Sequence, residues 1–216
     1  MEQQTSNIGI WEQIYSQADT SITYPDEVFV RVVHRLLSPK KHRTILDYGY
    51  GSGSNMVHLL SKGYELSGVE VSDSAKLNLD ARLKNHRLEA DLRAIADGKI
   101  PFEDGKFDVV IAWLVLYYND WNCFHKAMEE INRVLKPGGV FLGTMCAVGD
   151  YSHSHSTSLG NGVYRSTVPG QEGATLLILE EKDLQKCFPD RKLTTGHYGF
   201  QFGERHSKHW IVSYEK

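Results

Sequence analysis

The stretch Ile45–Asn55 reads ILDYGYGSGSN, an apolar run that opens into the alternating glycines Gly49, Gly51 and Gly53. An apolar run, a glycine-rich turn and then a helical pattern predict a buried strand, a tight connection and a helix. In an open parallel sheet such a connection lies outside the carboxyl ends of the strands, where ligands bind. The stretch therefore predicts an α/β fold with a ligand site at this turn.

The rest of the chain repeats this alternation of apolar strands and amphipathic helices. Predicted strands lie at 43–47, 64–70, 87–95, 107–113, 140–146, 192–202 and 208–214, the last two as a hairpin joined at 203–205. Predicted helices lie at 54–62, about 72–84 and 122–135, with another from about 181. The alternation predicts a Rossmann-like, doubly wound α/β sheet of seven strands, mostly parallel.

The N-terminal part and one long internal segment do not follow the alternation. Residues 1–42 carry a helical pattern from Trp11, a polar stretch at 16–23 and an amphipathic helix at 27–37. We expect one domain over 1–216, with 1–42 as a helical cap on a 43–216 core. Segment 149–173 is rich in Gly, Ser, Thr and His without periodicity, which predicts a functional or mobile loop.

Composition and charge narrow the classes of partner. The chain is 41% hydrophobic and 24% charged, as in ordinary globular proteins, and its formal net charge is −3. No basic field is present to attract nucleic acid or an anionic membrane, so neither partner is expected. The start carries no signal-peptide pattern, which favours a cytoplasmic protein. Cys123, Cys146 and Cys187 show no zinc-binding spacing, so reduced thiols are expected. No metal is expected, and a site with oxygen ligands at Asp150, just after the fifth predicted strand, stays an alternative.

The glycine turn does not match the usual dinucleotide fingerprint. A G-x-G-x-x-G pattern starting at Gly49 would place its third glycine at Ser54. Asp47 adds a carboxylate that favours a cationic ammonium over a pyrophosphate. This disfavours an NAD(P)-dependent oxidoreductase, which stays an alternative, as does a tight turn that binds no ligand.

The segment Asp47-Tyr48-Gly49-Tyr50-Gly51-Ser52-Gly53 resembles motif I, D-x-G-x-G-x-G, of the class I S-adenosylmethionine-dependent methyltransferases. The runs FDVV at 107–110 and RVLKPGG at 133–139 are also similar to that family, of the small-molecule type 11/25 kind, so the resemblance covers about 44–143. It implies S-adenosylmethionine as cofactor, S-adenosylhomocysteine as product and an antiparallel final strand. In the family, the glycine loop cradles the methionine part of the cofactor.

The resemblance also implies contacts for the rest of the cofactor. Glu70 ends the second predicted strand, where the family uses an acid to hold the ribose hydroxyls. Ala96-Asp97-Gly98 resembles the family's G-D-A segment, whose Asp contacts the adenine amino group, with Asp91 as competitor. The N-terminal helices resemble the lid of the family's small-molecule members, in which Trp11 and Tyr15, one helical turn apart, are expected to cover the cofactor. The expected cofactor-binding residues are Asp47, Gly49, Tyr50, Gly51, Gly53, Glu70, Val71, Asp97, Gly98, Trp113, Tyr15 and Tyr24.

Methyl transfer from a sulfonium is an in-line displacement that can be accelerated by positioning and exclusion of water. A base is needed only where the acceptor must lose a proton, and the candidates are His153, His155 and Tyr117. Solvated histidines are the competing interpretation. Many relatives carry a histidine pair at residues 117–120, which read YYND in this chain. This difference leaves the identity of the acceptor undetermined.

We expect a small-molecule acceptor methylated on oxygen or nitrogen, by a monomer or homodimer. The alternatives are a non-catalytic cofactor-binding subunit and a protein or RNA acceptor. The family's N-P-P-Y motif of adenine-DNA enzymes is absent from residues 117–120, which disfavours that branch.

Overall fold

The computed structural model describes residues 2–17 and 23–216, so most of the predicted polar stretch at 16–23 lies outside the described residues. The helices are α1 (Glu2–Ser16), α2 (Glu27–Leu36), α3 (Ser54–Ser61), α4 (Asp73–His86), α5 (Trp121–Val134), α6 (Tyr151–Ser154) and α7 (Leu184–Cys187), the last preceded by a 3₁₀ turn at Glu181–Asp183. The strands are β1 (Thr44–Tyr48), β2 (Glu65–Glu70), β3 (Asp91–Ala94), β4 (Phe107–Ala112), β5 (Leu135–Ala147), β6 (Ser156–Gly160), β7 (Val163–Ser166), β8 (Thr175–Leu179), β9 (Thr194–Phe202) and β10 (Arg205–Glu215).

The strands form one sheet with a seven-stranded main path. Its order is β3-β2-β1-β4-β5-β10-β9, in which the first five strands are parallel and β10 pairs antiparallel with β5. The predicted α/β class, the Rossmann-like order and the antiparallel final strand are confirmed. The sheet has ten strands because β8, β7 and β6 extend it, with β8 pairing to the carboxyl end of β5.

The prediction of an irregular loop at 149–173 was wrong. The segment contains the short helix α6 and the antiparallel hairpin β6–β7. Asn161 and Gly162 turn the hairpin with φ of +52° and +73°, the left-handed pair that an Asn-Gly turn supplies. Strands of four and five residues are too short to show a periodic pattern, so the Asn-Gly pair was the only available signal.

Three other boundaries differ from prediction. α1 begins at Glu2 rather than near Trp11, and β3 is confined to Asp91–Ala94. β5 begins at Leu135 and includes the proline and glycines of the KPGG segment, whereas the predicted strand began at 140. Leu135 pairs with Phe107 of β4, Gly138 and Gly139 exchange backbone hydrogen bonds with Lys216, and the regular register with β4 and β10 begins at Val140. Pairing with distant strands therefore outweighs local turn propensity there.

Apolar residues alternate between the two faces of the sheet and build two core clusters. Ile45 of β1 belongs to the cluster with Phe29 of α2, whereas Leu46 belongs to the cluster with Phe124 of α5. This period-two alternation places helices on both faces. Strand order reverses between β1 and β4, so a crevice opens outside their carboxyl ends. Among the described residues, no helix combines the length and apolarity needed to cross a membrane.

Candidate functional site

The glycine loop after β1 approaches two neighbouring segments too closely for side chains. Gly49 and Gly51 have φ of +72° and +51°, the left-handed region that glycine adopts without strain. A Cβ on Gly49 would collide with the side chain of Val115, and one on Gly51 with the hydroxyl of Tyr15. The two glycines therefore let the loop lie between the segment after β4 and helix α1.

Glu70 ends β2 and joins that strand to the glycine loop. Its Oε2 accepts a hydrogen bond from the Gly51 N–H at 2.9 Å, and its Oε1 accepts one from Val71 N–H at 2.7 Å. The side chain is only 7% exposed, and burial raises the pKa of its carboxyl despite these hydrogen bonds. The carboxylate also borders the pocket described below. It is therefore held in a fixed orientation where a ligand hydroxyl can reach it.

Asp47 lies on β1 beneath the glycine loop, paired in register with Gly68 of β2. It is buried, and burial together with the negative charge of Glu70 raises the pKa of its carboxyl to about 7. A positive charge bound nearby would favour its ionised form. The two acids therefore give this end of the crevice an affinity for cations.

A pocket occupies the crevice at the strand reversal. One half is bordered by the loop and strand ends through Gly49, Glu70, Val71, Ile95, Leu114 and Val115. The other half is bordered mainly by α1, the segment after β4 and β8 through Asn7, Ile8, Trp11, Tyr118, Asp120 and Thr175. Apolar walls with a few placed polar groups are typical of small-molecule sites.

Helix α1 closes the pocket and is fastened to its far wall. The Asn7 side-chain amide donates to the carbonyl oxygens of Tyr118 (2.9 Å) and Thr175 (3.2 Å), and its oxygen accepts from the Thr175 N–H at 3.0 Å. The Trp11 ring packs edge-on against Tyr118, with centroids 4.6 Å apart. The pocket is therefore covered by a helix tied to the side opposite the glycine loop.

The same helix is also fastened to the start of α4, next to Glu70. Glu12 accepts hydrogen bonds from the hydroxyl of Ser72, at 2.6 Å, and from that of Ser74, at 2.5 Å. Both serines lie at the start of α4, just after Glu70. These bonds lower the pKa of Glu12. α1 is thus held over the pocket at two separated points.

Leu114, which borders the pocket directly after β4, has a strained backbone. Its φ is +58°, which is rare for a bulky side chain, and its N–H donates to the Thr144 hydroxyl at 2.8 Å. Such strain is concentrated at ligand sites because the surrounding structure must impose it. The conformation turns the chain from β4 into the pocket wall.

The structure brings part of the expected cofactor set together. Tyr15, Gly49, Glu70 and Val71 border the pocket. Gly51 contributes through its hydrogen bond to Glu70, and Asp47 lies below the loop.

Other expected cofactor residues lie elsewhere. Gly53 caps the start of α3 with a left-handed backbone, against Leu79. Tyr50 packs in an apolar core cluster, and its hydroxyl has no hydrogen-bond partner among the described residues. Its aromatic ring prefers this apolar cluster to the polar loop surface. Gly53 and Tyr50 therefore hold the glycine loop in position without bordering the pocket.

Trp113, Asp97 with Gly98, and Tyr24 do not border the pocket either. Trp113 packs against Phe29, with centroids 5.3 Å apart, on the other face of the sheet. Asp97 and Gly98 form an exposed turn with φ of +53° and +73°. Tyr24 is 80% exposed. The alternative adenine acid, Asp91, is paired with Arg93 on the outer strand, and Ile95 occupies the pocket wall at this edge.

The three candidate bases also lie away from the pocket wall. His153 Nε2 is 3.4 Å from the hydroxyl of Tyr164, and the ring of His155 stacks on Tyr151 with centroids 3.9 Å apart. Tyr117 is buried, and its hydroxyl lies 3.3 Å from His209 Nε2. Both histidines are held by α6 and the β6–β7 hairpin rather than by a loop that reaches the crevice. Their catalytic role stays a prediction.

Sequence reasoning missed Asn7, Thr175 and Cys123 as pocket residues. Asn7 lies in a polar N-terminal stretch with no motif, and Thr175 begins a strand whose position depends on the unpredicted hairpin. The run YYND at 117–120 pointed to this region, and Tyr118 and Asp120 border the pocket. The Asp120 Oδ1 also accepts from the Cys123 N–H at 2.8 Å, which is the pattern of a helix cap.

The chain was compared with known families and structures. Residues 46–143 match the family model described as a methyltransferase domain. Sterol 4-C-methyltransferase strm-1 of Caenorhabditis elegans is 28% identical over 184 residues, which cover 78% of this chain and 53% of that protein. The chain spans 53% and 58% of the lengths of the first two curated relatives that it matches. It spans 26% of the length of the next one.

Solved structures share the fold. A SAM-dependent methyltransferase of Methanosarcina mazei superposes with a TM-score of 0.70 at 19% identity, covering 86% of this chain and 96% of that one. The 1,6-didemethyltoxoflavin-N1-methyltransferase of Burkholderia thailandensis, solved with its substrate and S-adenosylhomocysteine, gives 0.69 at 13% identity, covering 99% and 89%.

Together, fold and family match define a class. Residues 46–143 carry a methyltransferase domain, and the chain as a whole has the fold of solved S-adenosylmethionine-dependent methyltransferases, as the class I resemblance implies. The cofactor of that class is S-adenosylmethionine, whose product S-adenosylhomocysteine is bound in the Burkholderia thailandensis structure.

The pocket residues fit this cofactor. The fixed Glu70 carboxylate offers acceptor oxygens for two neighbouring ribose hydroxyls. Gly49 leaves room that a Cβ would fill, and Asp47 and Glu70 complement a cationic sulfonium and ammonium. Ile95 and Leu114 supply apolar surface at the strand ends for the adenine.

Proposed function

We propose that this chain transfers the methyl group of S-adenosylmethionine to an oxygen or nitrogen of a small-molecule acceptor, and that 1–216 acts as one domain with 1–42 as its cap. The observation that carries the proposal is the continuity of the pocket. Glu70, at the cofactor end, and Trp11 and Tyr118, at the far end, border the same pocket. A small acceptor in the far half would lie next to the cofactor.

The far half supports a small, partly aromatic acceptor. The rings of Trp11 and Tyr118 offer flat apolar surfaces, and the carboxylate of Asp120 borders the same space. Helix α1 covers the pocket on one side, which favours a small acceptor over a macromolecular one. The printed names of relatives include a sterol methyltransferase and a malonyl-[acyl-carrier protein] O-methyltransferase, so both small and carrier-bound acceptors occur among similar proteins.

The protein's contribution to the reaction would be positioning and exclusion of water. When bound, the cofactor supplies an electrophilic methyl group, and transfer needs no protein nucleophile. Helix α1, held through Asn7 and Glu12, excludes water from the pocket. Asp120 borders the far half of the pocket, two residues after Tyr118. Its carboxylate can accept a proton from a hydroxyl or ammonium group of the acceptor.

The test combines binding with turnover. Calorimetry with S-adenosylhomocysteine and with NADH separates a methyltransferase from an oxidoreductase; binding of NADH alone would overturn the proposal. A metabolite screen, read by release of S-adenosylhomocysteine, then identifies the acceptor, with Glu70→Ala as the cofactor-deficient control. Cofactor binding without turnover on metabolites, but with turnover on protein or RNA fractions, would overturn the small-molecule assignment.

A further inference from the structure

Away from the pocket, one buried group of side chains has the composition of a metal site. Cys146, Asp150 and His209 bring a thiol sulfur, a carboxylate oxygen and an imidazole nitrogen within 4.8 Å of one another. Each residue is less than a tenth exposed. The geometry points to a site for a borderline transition-metal ion, Zn²⁺ by the chemistry of its ligands, formed by Cys146, Asp150 and His209.

The fold places these three residues together by strand pairing. Cys146 on β5 and His209 on β10 are direct partners in the antiparallel register. Directly paired residues have Cβ atoms about 4.5–5.5 Å apart and point to the same face of the sheet. Asp150 follows three residues after β5 and is turned back by capping α6, where its Oδ1 accepts from the Ser152 N–H at 2.8 Å. The sequence spacing alone conceals this group, because His209 is far along the chain.

His209 provides the observation that points to a ligand. Its Nε2 lies 3.3 Å from the hydroxyl of Tyr117, whereas its Nδ1 is buried with no hydrogen-bond partner among the described residues. A buried polar atom without a partner costs about 1–3 kcal/mol. If Nε2–H donates to the Tyr117 oxygen, Nδ1 carries the lone pair that a metal requires. This is the arrangement of metal-binding histidines, whose second nitrogen is held by another group.

The Asp150 carboxylate is also held by neighbouring groups, and it hydrogen-bonds with the Cys146 thiol. Asp150 Oδ2 accepts from the Lys208 N–H at 2.7 Å, so both carboxylate oxygens are fixed by backbone and retain lone pairs. Cys146 is fully buried, which excludes a role as a nucleophile toward a substrate. Thiolate, imidazole and carboxylate together favour Zn²⁺ over Mg²⁺ or Ca²⁺, which prefer oxygen ligands. Three protein ligands leave a fourth position for water.

The site adjoins the pocket without being part of it. The rings of Tyr117 and Tyr118 pack at a tilt of 36° with centroids 4.5 Å apart, and Tyr118 borders the far half of the pocket. A metal ion at His209 would therefore fix the position of that wall through Tyr117. The inference stands apart from the proposed function, since the ion can bind whether or not the chain transfers methyl groups.

Cobalt(II) is the probe, because a thiolate ligand gives it a near-ultraviolet charge-transfer band and a tetrahedral site gives it strong visible bands. The full chain, without a histidine tag and stripped by chelator, is titrated with Co²⁺ and then with Zn²⁺. We expect one equivalent of Co²⁺ with both sets of bands, displaced by Zn²⁺. Absence of the bands in the unaltered chain would overturn the inference.

The chain has three cysteines, which supply matched controls. Cys146→Ser should abolish the charge-transfer band, whereas Cys123→Ser and Cys187→Ser should retain it. Loss of the band in either control, or its retention in Cys146→Ser, would contradict the assignment. Tyr117→Phe, which keeps every ligand, should weaken Co²⁺ binding about 10–100-fold, the usual effect of losing a group that orients a metal-binding histidine. Unchanged binding in that folded variant would also count against it.

Discussion

The Gly51 N–H donates a 2.9 Å hydrogen bond to Glu70 Oε2, so the glycine loop after β1 and the acid at the end of β2 form one unit. Each element had been predicted to bind a different part of the cofactor. The bond shows that Glu70, the acid expected to bind the ribose, also holds the loop in shape. A substitution at either residue therefore affects both.

Glu70→Ala is expected to weaken cofactor binding by about 1–3 kcal/mol, because it removes a charged acceptor and leaves the Gly51 N–H without its partner. Calorimetric titration with S-adenosylhomocysteine measures the loss. Glu65→Ala is the matched control, since Glu65 begins the same strand in an exposed ion pair with Arg43. Equal affinities for the two folded variants would contradict the assignment of Glu70.

Asp47→Asn is expected to stabilise the cofactor-free chain at alkaline pH. The folded pKa of about 7 exceeds the ordinary value near 3.9, so folding opposes ionisation of this carboxyl. Below a pH of about 3.9 the Asp47 carboxyl is protonated in both the folded and the unfolded chain, so it costs no folding stability. Between pH 4 and 7 the ionisation of Asp47 costs an increasing amount of folding stability, and above pH 7 this cost reaches up to about 4 kcal/mol. Urea unfolding at pH 4.5 and pH 8 should show a gain that is larger at pH 8.

Asp108 offers a control of opposite sign. Burial raises the pKa of its carboxyl, but hydrogen bonds from Lys136 and Thr44 outweigh burial and hold it at about 2. Its stabilisation is full above the ordinary value near 3.9 and disappears as pH falls through 2. Asp108→Asn should therefore destabilise the chain at pH 8. If both substitutions changed stability in the same direction at pH 8, the account of Asp47 would be wrong.

Asn7→Ala is expected to release helix α1 from the far wall of the pocket, because the side chain makes three hydrogen bonds to the backbone of Tyr118 and Thr175. We expect faster amide exchange in α1 and weaker cofactor binding, at a cost of about 1–3 kcal/mol. Gln13→Ala, on the exposed side of the same helix, should leave both unchanged. Exchange rates that match the unaltered chain in Asn7→Ala would show that the helix is held elsewhere.

Gly49→Ala and Gly63→Ala separate close approach from backbone strain. Both glycines have positive φ, so either substitution costs about 1 kcal/mol or more of stability. Only at Gly49 does the added Cβ collide with a neighbour, Val115, whereas nothing lies within 4 Å at Gly63. We expect cofactor binding to be lost in Gly49→Ala and kept in Gly63→Ala, measured by calorimetry. Retained binding in Gly49→Ala would show that the loop can shift.

Local sequence determined the elements whose pattern is long enough to read. The alternating strands and helices, the turn at Gly49 and the acid at Glu70 follow from periodicity, from glycine's freedom at positive φ and from a resemblance that the family match confirms. The helix caps at Asp26, Ser72 and Asp120 are likewise local, since each side chain accepts from the backbone N–H three residues on.

Only the tertiary structure decided how distant segments meet. Asn7 reaches Thr175 across most of the chain, and His209 meets Cys146 because two strands pair in one antiparallel register. It also decided against local expectation at Tyr50 and Trp113, which burial draws into the core. Such contacts depend on free energies summed over the whole packed chain, and no short stretch of sequence encodes them.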